Sequence, residues 1–170
     1  MIDLRAILNR IPSPLKEAVK AVLYPTLPAV GEPAPQWNLT DQNGKAHTLP
    51  DSSWTVLVFY PADDTPGCTM QLAEFQQQRN ALQAANIAVF GVNPAGAQEH
   101  GAFAEKCGFE FPLLVDTAGD VAAAYGCALR LPLGMRVVRT VVLIGPDQTI
   151  RMAERGMPAV DTILRIVGPI

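Results

Sequence analysis

Five apolar residues in a row, Val56-Leu57-Val58-Phe59-Tyr60, stop at Pro61. An unbroken apolar run of this kind belongs to a strand covered on both faces. Regular structure restarts at Thr65-Pro66, a capping residue followed by proline at the first helical position, where its missing N–H costs nothing. The pattern predicts a buried central strand, a short loop and a helix extending to about Asn86. Ile87 to Val92 reads as the next buried strand, and strand, helix, strand implies a right-handed parallel crossover. Ala97 to Cys107 is predicted as a second major helix with Gly108 at its C-cap, Pro112 to Val115 as a third strand, and Gly119 to Tyr125 as a short helix. Val137 to Ile144 and Thr149 to Glu154, joined through Gly145-Pro146-Asp147-Gln148, read as an antiparallel hairpin, followed by a closing helix over Ala159 to Val167.

Upstream, Gln36 to Thr40 and Lys45 to Leu49 flank Asn43-Gly44, the dipeptide that most readily takes positive φ in a tight hairpin. Ser13-Pro14 opens a further helix, with Leu15, Val19, Val22 and Leu23 on one face before Pro25 stops it. The expected organisation is an N-terminal helical arm over residues 1–28 and one α/β domain over residues 29–170, with helices on both faces of a mixed sheet. The arm's apolar face is expected to pack on its own domain, with another subunit or a weak membrane contact as the alternatives.

Composition narrows the function classes. The chain of 170 residues is 49% apolar, the size of one ordinary domain with a real core. Its formal net charge of −3 and its lack of Lys/Arg clusters argue against nucleic acid or an anionic membrane surface as partner. Charges at Asp3, Arg5, Arg10, Lys16, Glu17 and Lys20 leave no apolar stretch long enough for a signal peptide or membrane span, so a cytoplasmic protein is expected. Three widely spaced cysteines form neither a disulfide framework nor a zinc pattern, and they suit a reducing compartment.

Chemistry concentrates at Cys68. Counted from the Thr65 cap, Gly67 is the second helical position and Cys68 the third, so the thiol lies among amides that have no intrahelical acceptor. Those amides favour an anion, and only the thiolate is a good nucleophile. A lone cysteine at a helix start is also a common small core residue. Three features favour the reactive reading: the strand-to-helix junction where α/β sheets place ligands, the cap, and the close backbone access that Gly67 permits. Arg139, inside the predicted strand Val137 to Ile144, needs an anion if it is buried, and is otherwise an exposed strand residue. His47 and His100 have no second ligand at metal spacing and are read as solvated, as is the pair Asp63-Asp64. No glycine spacing cradles a phosphate, so neither metal nor nucleotide cofactor is expected.

The order Pro61, Thr65, Cys68, within Phe59-Tyr60-Pro61-Ala62-Asp63-Asp64-Thr65-Pro66-Gly67-Cys68-Thr69, resembles the active-site signature of the peroxiredoxins in their bacterioferritin-comigratory (Q) branch. Val30 to Pro35 with Asp41 to Gly44 resembles the family's opening, and Phe103 to Lys106 with Phe111 to Asp116 its middle, so the likeness runs from about Val30 to the C-terminus. It implies a thioredoxin-like fold and a thiol peroxidase acting on hydrogen peroxide and small organic hydroperoxides. In that role Cys68 is the nucleophile that becomes a sulfenic acid. Thr65, Arg139 and the Gly67 and Cys68 amides stabilise the moving charge, and Pro61 shapes and shields the loop. Thioredoxin or a similar thiol donor would recycle a monomer or weak homodimer. The sequence departs from the branch at Ala73, where many members carry a second cysteine. Cys107 is then the candidate resolving thiol, Cys127 the alternative, and a one-cysteine cycle the third outcome. Two rivals stay open. A thiol-disulfide oxidoreductase would need a second cysteine where Gln71 stands, and a redox sensor would stop after one equivalent of peroxide.

Overall fold

The computed structural model describes residues 24–131 and 134–169, together with Pro12 and Pro14. The helix expected within the N-terminal arm lies outside the described residues. The elements follow as β1 (Asn38–Thr40), β2 (Ala46–Thr48), β3 (Trp54–Phe59), α1 (Pro66–Gln77), α2 (Arg79–Ala84), β4 (Ile87–Asn93), α3 (Ala97–Cys107) and β5 (Leu113–Val115). After them come α4 (Asp120–Ala124), β6 (Ala128–Leu131), β7 (Gly134–Val137), β8 (Thr140–Ile144), β9 (Ile150–Arg155) and α5 (Val160–Val167).

The apolar run becomes the middle strand of a five-stranded mixed sheet of order β5-β4-β3-β8-β9. β3 runs parallel to β4 and antiparallel to β8. Alternation along β3 divides the core. Val56 and Val58 pack with Leu72 and Phe75 of α1, Phe103 of α3 and Ile163 of α5. Leu57 and Phe59 face the other way, into Trp37, Leu49, Ala122 and Tyr125. Each such side chain taken fully out of water contributes about 1.5–3 kcal/mol, which makes β3 the part of the fold least able to shift.

Three expectations change. The helix after Cys68 is interrupted at Gln78 (φ −95°, ψ 12°), giving α1 and α2. The hairpin of β6 and β7 is not predicted by the sequence pattern, because Leu129 opposite Arg136 and Arg130 opposite Met135 mix charge with apolar residues and hide the alternation. The expected strand Val137 to Ile144 is split by Val138 and Arg139. Val138 still donates to the Cys127 carbonyl beside the small hairpin, while Thr140 already pairs with Phe59 in the main sheet. Arg139 therefore sits in a crossover between two sheets, where its side chain is not bound to either sheet face.

Candidate active site

β3 ends at Phe59, whose partner on β8 is Thr140. This antiparallel register carries Arg139, the residue before β8, to the loop that leaves β3 and to the start of α1. Arg139 Nη2 donates to Cys68 Sγ at 3.2 Å. Nη1 donates to the side-chain oxygen of Gln71 and, at 3.4 Å, to the Gly67 carbonyl. The guanidinium is thus aimed by three acceptors of one helix start, a use of its rigid fork that a lysine could not copy. Gly67 makes room for it: a Cβ there would stand 3.3 Å from Arg139 Nη2.

Pro66 occupies the first helical position, and Thr65 has the extended backbone of an N-cap (φ −102°, ψ 144°). The cap differs from the expectation in one respect. The Thr65 hydroxyl makes no capping bond and instead donates to the Ala62 carbonyl at 3.4 Å. Gly67 and Cys68 hold the second and third positions, whose amides lack intrahelical acceptors and favour negative charge. Cys68 is 1% exposed, packed in the core formed by Tyr60, Leu72 and Phe75. A cleft of about 590 Å³ lies between the 61–64 loop and α3, lined by Pro61, Asp63, Asn93, Glu99, Phe103 and Lys106; Cys68 is not in its wall.

Several residues of the site were not legible in the sequence. Gln71, read only as the absence of a second cysteine, is buried and orients Arg139. His100 and Asp63 are not solvated: the His100 side chain is 0% exposed and its Nδ1 lies 2.7 Å from Asp63 Oδ2. Asp63 Oδ1 accepts from the Tyr60 hydroxyl at 2.8 Å and from Asn93 Nδ2 at 2.7 Å. Burial acts to raise the Asp63 pKa, but the hydrogen bonds and charge of His100, with Tyr60 and Asn93, bring it below the usual carboxylate value. Burial, with the adjacent Asp63 charge, pushes Tyr60 well above the ordinary phenol range, so Tyr60 stays a donor. Asp64 takes positive φ (53°), which aspartate tolerates, and pairs with Lys106 at 2.7 Å. One sequence signal pointed to His100: it shares the inward stripe of α3 with Phe103 and Ala104, three and four residues on. His47, also read as solvated, pairs with Asp41 at 2.8 Å.

The other thiols lie apart from each other. Cys107, half-buried at the end of α3, packs against the same core as Cys68. Cys127 is buried in the core on the opposite face of the sheet, where its Sγ donates to the Tyr125 carbonyl at 3.3 Å. Burial pushes the Cys127 thiol up to about 12. Among the described residues no group of three His, Cys, Asp or Glu could hold a metal ion, and no helix is long and apolar enough to cross a membrane.

The chain is similar to known proteins in sequence and in fold. The family model described as "AhpC/TSA family" matches residues 30–153. Peroxiredoxin Bcp of Bacillus subtilis is 35% identical over 98 residues, which are 56% of this chain and 62% of that relative. The match therefore spans less than two thirds of that relative's own length. The crystal structure of peroxidoxin BcpB from Mycobacterium tuberculosis superposes with a TM-score of 0.76 at 28% identity, covering 81% of this chain and 95% of that one. The Xanthomonas campestris bacterioferritin comigratory protein, described for its alkyl peroxide reduction activity, gives a TM-score of 0.71 at 25% identity, covering 77% and 89%. With the Arg139-clamped Cys68 at the helix start and a family match over most of its length, the chain belongs to the AhpC/TSA family, in the Bcp/PrxQ branch of the peroxiredoxins.

Proposed function

We propose that this chain is a thiol peroxidase that reduces hydrogen peroxide and small organic hydroperoxides at Cys68. The observation that carries the reading is the 3.2 Å contact from Arg139 Nη2 to Cys68 Sγ at a helix N-terminus. A cation and free amides facing one sulfur are placed to stabilise negative charge that develops there. In the reaction the thiolate sulfur bonds to one peroxide oxygen as the O–O bond breaks. Sulfur is oxidised by two electrons to the sulfenic acid, and the departing alkoxide or hydroxide takes a proton to become alcohol or water. Arg139, the Thr65 hydroxyl and the Gly67 and Cys68 amides stabilise the charge moving to the leaving oxygen. Pro61 shapes the approach to Cys68 and has no direct chemical part.

A second thiol then condenses with the sulfenic acid, forming a disulfide and releasing water. Cys107 is the better candidate, since it packs on the core that holds Cys68. Cys127 is separated from Cys68 by the sheet and stays protonated at neutral pH. Thioredoxin or a similar cytoplasmic dithiol would reduce the disulfide of a monomer or weak homodimer. The test is peroxide consumption with thioredoxin and its reductase, followed by non-reducing peptide mapping after one equivalent of peroxide. Many turnovers and a Cys68–Cys107 cross-link are expected. Arrest after one equivalent would make the chain a sensor, and sulfenic Cys68 beside two free thiols would leave a one-cysteine cycle.

Thr65→Val separates the hydroxyl's two possible uses. Because the hydroxyl makes no cap bond, its removal should cost less than the ~1 kcal/mol of a lost N-cap. Losing a preorganised transition-state donor should slow peroxide reduction about 10²-fold. Denaturant unfolding beside stopped-flow rates checks both; a near-normal rate would remove Thr65 from the mechanism.

A further inference from the structure

The chemistry above makes no use of Asp63, on the loop that leads to Cys68, or of its partner His100, which is fully buried on α3 behind that loop. Both ring nitrogens of His100 are engaged. Nε2 lies 3.2 Å from the Leu114 carbonyl, which can only accept, so Nε2 carries a hydrogen, and Nδ1 meets Asp63. Asp63 is gripped from three directions: by Tyr60 at the end of β3, by Asn93 at the end of β4, and by His100 on α3. Asn93 is itself oriented, its Oδ1 accepting from the Ala95 amide at 2.6 Å. Tyr60 is 0% exposed and shares a core with Cys68 and Leu72. The second contact between loop and α3, Asp64 with Lys106, is exposed on both sides and holds little by itself.

We propose that His100 and Asp63 are positioning residues for Cys68: His100 fixes the Asp63 carboxylate, and the anchored loop holds the start of α1 where the Cys68 sulfur meets Arg139 Nη2. The inference rests on the peroxidase reading above. Its physical basis is the steep geometric demand of an in-line attack, for which a displacement of about 1 Å can cost about 10²-fold in rate. Alkylation makes no such demand on the surrounding donors. It needs a thiolate and access.

The test uses the full chain as wild type, His100→Phe, Asp63→Ala and Asp63→Asn. The rate constant of Cys68 with hydrogen peroxide is measured beside its rate with iodoacetamide, on samples whose folded fraction is checked by circular dichroism. His100→Phe and Asp63→Ala are expected to slow the peroxide reaction about tenfold or more while alkylation stays within about threefold. Asp63→Asn is expected to keep the peroxide rate within about threefold, because its oxygen still accepts from Tyr60 and Asn93 and its amide donates to a neutral His100. Should His100→Phe not fold, Asp63→Ala carries the comparison. A wild-type peroxide rate in folded His100→Phe or Asp63→Ala overturns the proposal. So does an equal fall of both rates, which would mean loss of thiolate, or an Asp63→Asn as slow as Asp63→Ala, which would mean that charge and not geometry matters. If wild type itself fails to react with peroxide, the peroxidase reading falls and this inference with it. If wild type and every variant react alike, this inference falls alone.

Discussion

Cys68→Ser is expected to reduce peroxide consumption to background, a fall of about 10³-fold or more. The replacement differs by one atom in a position that is 1% exposed, so the packing against Tyr60, Leu72 and Phe75 persists and Arg139 keeps an acceptor. What changes is the nucleophile. A serine hydroxyl does not ionise near neutral pH, and a guanidinium with two amides cannot supply the energy to make an alkoxide, whereas a thiol starts from about 8.5. Fold and activity should therefore part: the unfolding curve stays close to wild type while turnover with thioredoxin and its reductase disappears. Peroxide consumption retained in Cys68→Ser would move the chemistry to another thiol and remove the basis for every role assigned here.

Arg139→Ala is expected to slow the reaction with peroxide by about 10²–10³-fold, the range for deleting one preorganised donor from a site of developing charge. The same change also costs stability. Gln71, 2% exposed, would keep its oxygen in the core without the Arg139 donor, a loss of about 1–3 kcal/mol. Two further variants separate charge from aim. Arg139→Lys retains a cation but not the fork that reaches Cys68, Gln71 and Gly67 together, so a rate between wild type and alanine is expected. Gln71→Glu retains the acceptor and adds a negative charge that competes with the sulfur for the guanidinium; a slower reaction at unchanged fold is expected. Stopped-flow rates with hydrogen peroxide measure all three. Wild-type speed in Arg139→Ala would show that the helix start alone activates the thiol.

These contacts also mark how far the chain could be read without its structure. The strand–loop–helix junction that carries Cys68 was legible because its signal is contiguous: an apolar strand run, Pro61, then Thr65-Pro66-Gly67-Cys68, each residue constraining the backbone of the next. The helix Ala97–Cys107 with Gly108 at φ 70° was legible for the same reason, since periodicity and a C-cap are local properties. Only the family resemblance places Arg139 beside the sulfur, and the apolar run Val137 to Ile144 by itself predicts one continuous strand. Nothing local in Val138-Arg139-Thr140 reveals that the chain changes sheets there.

His100 and Asp63 show the limit most clearly. By their neighbours in sequence they were ordinary surface residues, and an adjacent pair of aspartates in a loop is most often solvated. In the fold they are 37 residues apart in the chain and 2.7 Å apart in space. The parallel register of β3 and β4 brings Tyr60 and Asn93 to the same end of the sheet, where His100 on α3 meets the loop. Sequence by itself determined most of the elements and the position of Cys68 at a helix start, because capping, proline and apolar runs act over a few residues. Which charges meet was decided only by the tertiary structure, because a charge can be buried only where strand register and helix packing bring a partner within hydrogen-bond distance, and that distance is set by segments far away along the chain.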